Sequence, residues 1–225
     1  TQGGTFSLKK TDGSVEYALD PDLVDNLEAG GFDHFSLETP AGISYSGNQT
    51  IDMARGIVLE APAISAEEGA QLVLNTSWLQ MVNDSDFPGG ASSGGGALFT
   101  ANADFIDLEG QLAFSGMDHV TLNASQDIRL TDRYYTGFGY QGKLSVSNDL
   151  SLTAARIYPS TGSLFTINAG GDVTTFRSET HLPAAVYSAV GSLTINARNI
   201  NHQGVIVAPA GTIALNADER IYLSP

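Results

Sequence analysis

One pattern is shared by two neighbouring stretches of the chain, Gly191-Ser-Leu-Thr-Ile-Asn-Ala197 and Gly211-Thr-Ile-Ala-Leu-Asn-Ala217. Both place alternating apolar residues before an Asn-Ala step, which is the period-two pattern of a β-strand with one buried face. A related stretch, Gly162-Ser-Leu-Phe-Thr-Ile-Asn-Ala169, lies upstream. Such self-similarity indicates one structural unit stacked many times.

The asparagine of this repeat recurs along most of the chain. It falls at positions 75, 102, 123, 148, 168, 196 and 216. This spacing gives a base period of about 20 residues, with insertions that lengthen some of the steps. Short strands separated by Gly, Asn, Asp, Pro and Ser, without helical spacers, predict an all-β coil in which each turn, or rung, pairs in parallel with the next.

This β-solenoid has a predicted interior and a predicted polar ladder. The alternation places these side chains inside the coil: Leu122, Ile167, Leu193, Ile195, Ile213 and Leu215. Marker asparagines at equivalent places on successive rungs would stack, each side-chain amide bonding the next. The expected structural ladder comprises Asn75, Asn123, Asn168, Asn196 and Asn216.

One segment departs from the strand pattern and predicts a short helix over residues 20–30. Asp20 is an N-cap candidate, Pro21 occupies the first helical position and Gly30 is a stop signal. Leu23 and Leu27 share one face and would dock the helix on the coil. Residues 1–31 are thus a candidate cap at one end.

Three stretches interrupt the repeat: residues 77–97, 131–141 and 174–190. Because the repeat resumes after each one, we expect loop insertions in a single domain, 1–225, rather than domain linkers. The first of them is rich in Gly and Ser, which is typical of a flexible surface loop.

Composition limits the function classes. The chain has 225 residues, 42% of them apolar, and a net charge of −15, which disfavours binding to nucleic acid or anionic membranes. There is no cysteine, so disulfides and thiolate metal sites are excluded. No apolar run is long enough to insert into a membrane, and the first residues do not form a signal peptide. We expect an export signal, if any, upstream of Thr1.

No motif predicts a cofactor or a metal. Residues Gly137 to Gly142 match G-x-G-x-x-G, but an alternating strand pattern follows, where a dinucleotide site needs a helix. The four histidines are dispersed without ligand spacing. The many carboxylates do not recur at a fixed spacing, and we interpret most of them as a solvated surface.

Aromatic crowding in the second insertion is the best candidate for a ligand-binding surface. Four rings lie close together in the sequence: Tyr134, Tyr135, Phe138 and Tyr140. Rings on a loop can stack on sugars or anchor a protein partner. The competing interpretation is that they fold back over the open side of the coil.

The chain resembles filamentous haemagglutinin-like exoproteins. The resemblance rests on the pattern from Gly191 to Gly204, its continuation to Asn216, and Asp22-Leu-Val-Asp-Asn-Leu-Glu-Ala-Gly-Gly-Phe32-Asp-His-Phe-Ser-Leu37. It covers about Asp20 to Pro225. It implies a right-handed parallel β-helix exported by two-partner secretion, with an outer-membrane secretion partner, to the surface of a Gram-negative bacterium. It supplies no catalytic residue.

Two functions follow as expectations. The first is a non-catalytic shaft segment of a secreted bacterial adhesin, displaying contacts for glycans or proteins of host or bacterial cells. The alternative is a polysaccharide lyase or glycoside hydrolase acting on an acidic polysaccharide, which requires an arginine beside two or three carboxylates in a groove. The candidates are Arg129, Arg133, Arg156, Arg177 and Arg198. A segment that only spaces other domains is a third possibility.

Overall fold

The chain winds into a β-solenoid of about eight turns. The structure, a computed structural model, describes residues 3–13, 15–85, 91, 95–178 and 185–224. Over these ranges it has twenty strands and one helix, and the ladders that join one rung to the next are parallel. The parallel β-helix expected from the repeat is confirmed.

Each full rung has three strands, which stack on those of other rungs to form three faces. Face A contains β1 (Thr5–Lys9), β3 (His34–Glu38), β6 (Gly56–Glu60), β9 (Trp78–Val82), the second halves of β10 (Ala97–Glu109) and β12 (Met117–Thr131), and β16 (Arg156–Pro159). Face B contains β2 (Tyr17–Leu19), β4 (Ile43–Tyr45), β7 (Ala63–Ala66), β11 (Gln111–Ser115), β14 (Gly139–Val146), β17 (Leu164–Ala169), and the first halves of β19 (Ser192–Gln203) and β20 (Thr212–Leu223).

Face C completes the rungs. It contains β5 (Asn48–Met53), β8 (Gln71–Thr76), the first halves of β10 and β12, β15 (Asp149–Ala154), β18 (Val173–Arg177), and the second halves of β19 and β20. One further strand, β13 (Arg133–Tyr135), lies outside the three faces and pairs with β14 in an antiparallel hairpin.

The core is a continuous interior column. On face A the parallel register aligns these residues, each at most 1% exposed: Phe35, Ile57, Leu79, Ile106, Ile128 and Ile157. Stacking identical faces of successive rungs buries apolar area that no single rung could bury alone.

Four of the six predicted interior residues are buried completely, namely Leu122, Ile167, Leu193 and Ile195. The prediction fails at the last rung, where Ile213 is 43% exposed and Leu215 is only partly buried. Both lie on β20, which pairs with β19 on one side. Among the described residues no strand covers its other edge, so its inward side chains face solvent.

The length of a rung varies along the coil. The step between the register partners Leu193 and Ile213 has the period expected from the repeat. The steps from Phe99 to Val120 and from Ile57 to Leu79 are slightly longer. Insertions lengthen other rungs further.

The insertions are partly regular structure, which corrects their predicted bounds. Stretch 77–97 begins with β9 and ends with the first residue of β10, and its residues 86–90 and 92–94 lie outside the described residues. None of the described residues of this stretch forms a face B strand, and β7 pairs directly with β11, which belongs to the rung after next. Stretch 131–141 is the β13–β14 hairpin, and stretch 174–190 begins inside β18. Residues 179–184 lie outside the described residues.

Helix α1 (Pro21–Gly30) occurs where the sequence predicts it. The Asp20 carboxylate accepts a hydrogen bond from the Asp22 N–H at 2.9 Å, as expected of an N-cap. Leu27 is 1% exposed and Leu23 packs against the core. The helix contacts β5 and takes the place of a face C strand in the first rung. It therefore covers part of that end of the coil.

The asparagines form two ladders on different faces rather than one. On face C, Asn75 donates to Asp52, Asn102 to Asn75 and Asn123 to Asn102, at 2.6, 2.8 and 2.9 Å. On face B, Asn196 donates to Asn168 and Asn216 to Asn196, both at 2.8 Å. The hairpin insertion shifts the repeat relative to the faces, so Asn123 has Thr153 as its next neighbour.

Candidate functional site

The β13–β14 hairpin projects three aromatic rings from the coil. Tyr134 pairs with Tyr140 across the hairpin, and their rings lie 5.5 Å apart in an edge-to-face arrangement. Phe138 is at the turn, which is closed by a 3.0 Å hydrogen bond from its N–H to the Tyr135 carbonyl. Gly137 and Gly139 have φ values of +81° and +77°, which other residues rarely adopt.

These three rings are accessible to a partner. Tyr134, Phe138 and Tyr140 are 65%, 69% and 67% exposed. Adjacent exposed aromatic rings are costly to leave in water and are typical of contact surfaces. Three of the four predicted binding residues therefore lie together on the surface.

Tyr135 does not belong to this surface, and its prediction as a ligand-binding residue is corrected. It is 2% exposed, and its hydroxyl accepts a hydrogen bond from the Gln111 N–H at 2.6 Å and donates one to the Asn83 carbonyl at 3.0 Å. Successive strand residues point to opposite sides, so an exposed Tyr134 turns Tyr135 inward. Burial raises the pKa of the Tyr135 phenol, which stays a neutral donor.

Polar contacts fix the base of the hairpin. Arg133 forms ion pairs with Glu109 at 3.0 Å and with Asp84. Gly110, at φ +79°, has no side chain, and a Cβ at this position would collide with the Tyr135 hydroxyl oxygen. The glycine therefore makes room for that hydroxyl group. The exposed rings are consequently mounted on a rigid support.

Face A carries arginine–carboxylate pairs that the sequence did not identify as pairs. Arg129 makes two hydrogen bonds to Asp107, at 2.6 and 2.9 Å, and Arg156 makes two to Asp127, at 2.7 and 2.8 Å. Both arginines were candidates of the enzyme alternative. The two residues of each pair lie on different rungs, and the number of residues between them differs from one pair to the other. The pairs can therefore be identified only from the register of the rungs.

A second feature of face A is a cavity of about 300 Å³ near its first rungs. Glu38 and Glu60 are register partners that line it together with Asp84, and Lys9 pairs with Glu38. Burial, with the negative charges of Glu38 and Asp84, raises the pKa of Glu60 against the opposing effect of Arg133 and Lys9. Sequence reasoning missed this group because its members lie on different rungs.

The stretch that matches G-x-G-x-x-G lies in the β13–β14 hairpin, and the alternating residues after it form a strand, as predicted. Gly137 and Gly139 form the hairpin turn, and the strand β14 follows. Among the described residues no group of three or more His, Cys, Asp or Glu side chains is arranged to hold a metal ion. His181 lies outside the described residues.

No helix in the described part of the chain is both long and apolar enough to cross a membrane. Comparison of the chain with protein-family models, with curated proteins and with solved structures found no match.

Proposed function

We propose that this chain is a non-catalytic shaft segment of a secreted bacterial surface adhesin. The observation that carries the proposal is the hairpin: three rings about two-thirds exposed, on an insertion anchored by Tyr135. A solenoid supports such display, because each rung is stabilised by its neighbours and can extend without disulfides or cofactors. Partners would be glycans or proteins on host or bacterial cells, and an outer-membrane partner would export the parent protein.

The experiment is cell binding by the fluorescently labelled 225-residue chain, measured by flow cytometry on epithelial and Gram-negative bacterial cells. The variant Y134S/F138S/Y140S should lose most of the binding, by about tenfold, since interface aromatic residues carry much of the binding energy. Phe176→Ser is the matched control, because this ring is 40% exposed on face C, away from the hairpin. Binding should survive EDTA. Equal binding by wild type and the triple variant would contradict the proposal.

One observation favours the enzyme alternative. Glu60 has a raised pKa and lies beside Glu38 in a cavity, and a raised pKa favours the protonated form of a carboxyl that a general acid uses. By contrast, Asp107 and Asp127 each accept two hydrogen bonds from one arginine, which leaves them suited to structure rather than proton transfer.

This alternative is tested with polygalacturonate and uncharged polysaccharides, with and without calcium. Unsaturated products or new reducing ends that disappear in Glu60→Gln would establish it and overturn the non-catalytic proposal. We expect no turnover by either protein. Glu68→Gln, in an exposed turn, is the control for loss of a single carboxylate.

A further inference from the structure

Two adjacent rows of outward side chains run along face A over four rungs, from β9 to β16. The register places successive members of the first row beside one another: Trp78, Phe105, Asp127 and Arg156. The second row contains Asp107, Arg129 and Tyr158 in the same way. We call these seven residues the arginine–aromatic strip. With rungs about 4.8 Å apart it is about 14 Å long.

Hydrogen bonds hold the polar members of the strip rigidly. Asp107 accepts a hydrogen bond from the Trp78 indole N–H at 3.0 Å in addition to the two from Arg129, and it is 4% exposed. Asp127 is 6% exposed under Arg156. Bidentate pairing fixes the plane of each guanidinium group, so its direction is set before any ligand binds.

Aromatic rings lie between these fixed polar groups. The Arg129 guanidinium is 5.5 Å from the centre of the Phe105 ring, and that of Arg156 is 5.6 Å from the Tyr158 ring. Phe105, Tyr158 and Trp78 are each partly exposed. The strip thus places flat apolar surfaces beside oriented N–H donors. A guanidinium has five N–H groups, so the two bonds to Asp107 leave Arg129 with donors for a ligand.

A cavity of about 700 Å³ opens over the end of the strip. Its floor includes Arg129, Arg156 and Tyr158, and its far wall is the segment 185–188. This segment is held to the coil by a 2.6 Å hydrogen bond from the Ser188 hydroxyl to the Pro159 carbonyl. The volume lies within the range of about 300–1,000 Å³ typical of small-molecule sites.

The cavity wall offers the same chemistry as the strip. Ser160 and Thr161 contribute hydroxyl groups, and Tyr187 is fully exposed at the rim. Hydroxyls and guanidinium N–H groups donate to sugar hydroxyls, while rings pack against the C–H faces of a pyranose.

We infer that the arginine–aromatic strip and its cavity bind an uncharged linear oligosaccharide that lies along the axis of the coil. The ligand is uncharged because both guanidinium groups are already neutralised by aspartates and the chain carries a net charge of −15. The rung spacing of about 4.8 Å allows roughly one sugar per rung. The inference deepens the proposed adhesin function. It rests on that function in one respect, namely that the partners of the adhesin carry carbohydrate.

The test is isothermal titration of the purified 225-residue chain with defined hexasaccharides: cello-, malto- and mannohexaose, and hexagalacturonate as the charged probe. At least one uncharged probe should bind saturably, and hexagalacturonate should bind at least tenfold more weakly. The variants Tyr187→Ala and Tyr158→Leu should each weaken binding about tenfold or more. Tyr187 is fully exposed, so its substitution leaves folding unchanged and keeps the test valid if Tyr158→Leu misfolds.

The matched control is Phe176→Ala, a ring that is 40% exposed on face C, away from the strip. Its oligosaccharide affinity should equal that of wild type. Absence of saturable binding to every uncharged probe, preference for hexagalacturonate, or unchanged affinity in Tyr187→Ala would each overturn the inference. The adhesin proposal is tested independently of this inference, because its test is cell binding by the hairpin triple variant.

Discussion

At the scale of single residues, the solenoid depends on side chains that bond along its axis. In the face C ladder, Asn102 donates to Asn75 and accepts from Asn123. Both contacts are partly buried, so water does not fully replace them. A middle ladder residue therefore satisfies groups on two neighbouring rungs at once.

Replacing Asn102 by Ala should lower the free energy of unfolding by about 1–3 kcal/mol, because it leaves a carbonyl oxygen and an amide without partners. Asn216→Ala removes one bond at an exposed position and should cost about 0.5 kcal/mol or less. The measurement is urea denaturation followed by circular dichroism. A larger effect of Asn216→Ala would contradict the ladder interpretation.

A second residue-scale prediction concerns pH. The raised pKa of Glu60 means that the folded chain holds this proton more tightly than the unfolded chain does. Its contribution to stability is therefore complete below the unfolded value of 4.5 and is lost as pH rises through the higher folded value.

Glu60→Gln should consequently raise the melting temperature at pH 7 to 8, and the gain should vanish near pH 4. Thermal denaturation across this range is the measurement, with Glu68→Gln as the exposed control. A gain that persists undiminished at pH 4 would show that charge at Glu60 is not its cause.

At the scale of elements, insertions are tolerated where a strand is replaced or a hairpin is added without disturbing the rungs on either side. The hairpin is joined to the coil through the Tyr135 hydroxyl, which serves two backbone groups of separate segments. The sequence shows directly that aromatic residues crowd this insertion. It could not show which ring faces inward, because that depends on where the hairpin leaves the coil.

Tyr135→Phe should destabilise the protein by about 1–3 kcal/mol, since the buried Gln111 N–H and Asn83 carbonyl lose this partner. Tyr134→Phe removes the same atom from a ring that is 65% exposed and should have almost no effect. The comparison is made by urea denaturation. Equal effects of the two substitutions would contradict the anchoring role of Tyr135.

At the scale of the whole molecule, the two ends of the coil differ. Helix α1 covers part of the first rung and buries its own Leu27 against the coil. On the last described rung, Ile213 is 43% exposed and Leu223 is 66% exposed, along an edge of β20 with unpaired backbone. Such an edge is a template for pairing with another chain.

The 225-residue chain should therefore associate end to end through β20 as its concentration rises. Light scattering should show a mass that increases toward a dimer, and Ile213→Lys with Leu223→Lys should restore the monomer. Lys10→Glu, near the opposite end, is the control for a charge change. Strictly monomeric behaviour of the wild type at all concentrations would contradict this prediction.

The alternation of apolar residues, the regular period of the stacked units and the capped helix at Pro21–Gly30 are all predictable from the sequence. These are local or periodic properties, and both can be read along the chain. The three-dimensional fold is needed to see which residues meet across rungs, such as Arg129 with Asp107, and how the asparagines divide between two faces. The reason is that each insertion changes the length of a rung, so sequence spacing no longer specifies which side chains lie one strand spacing apart.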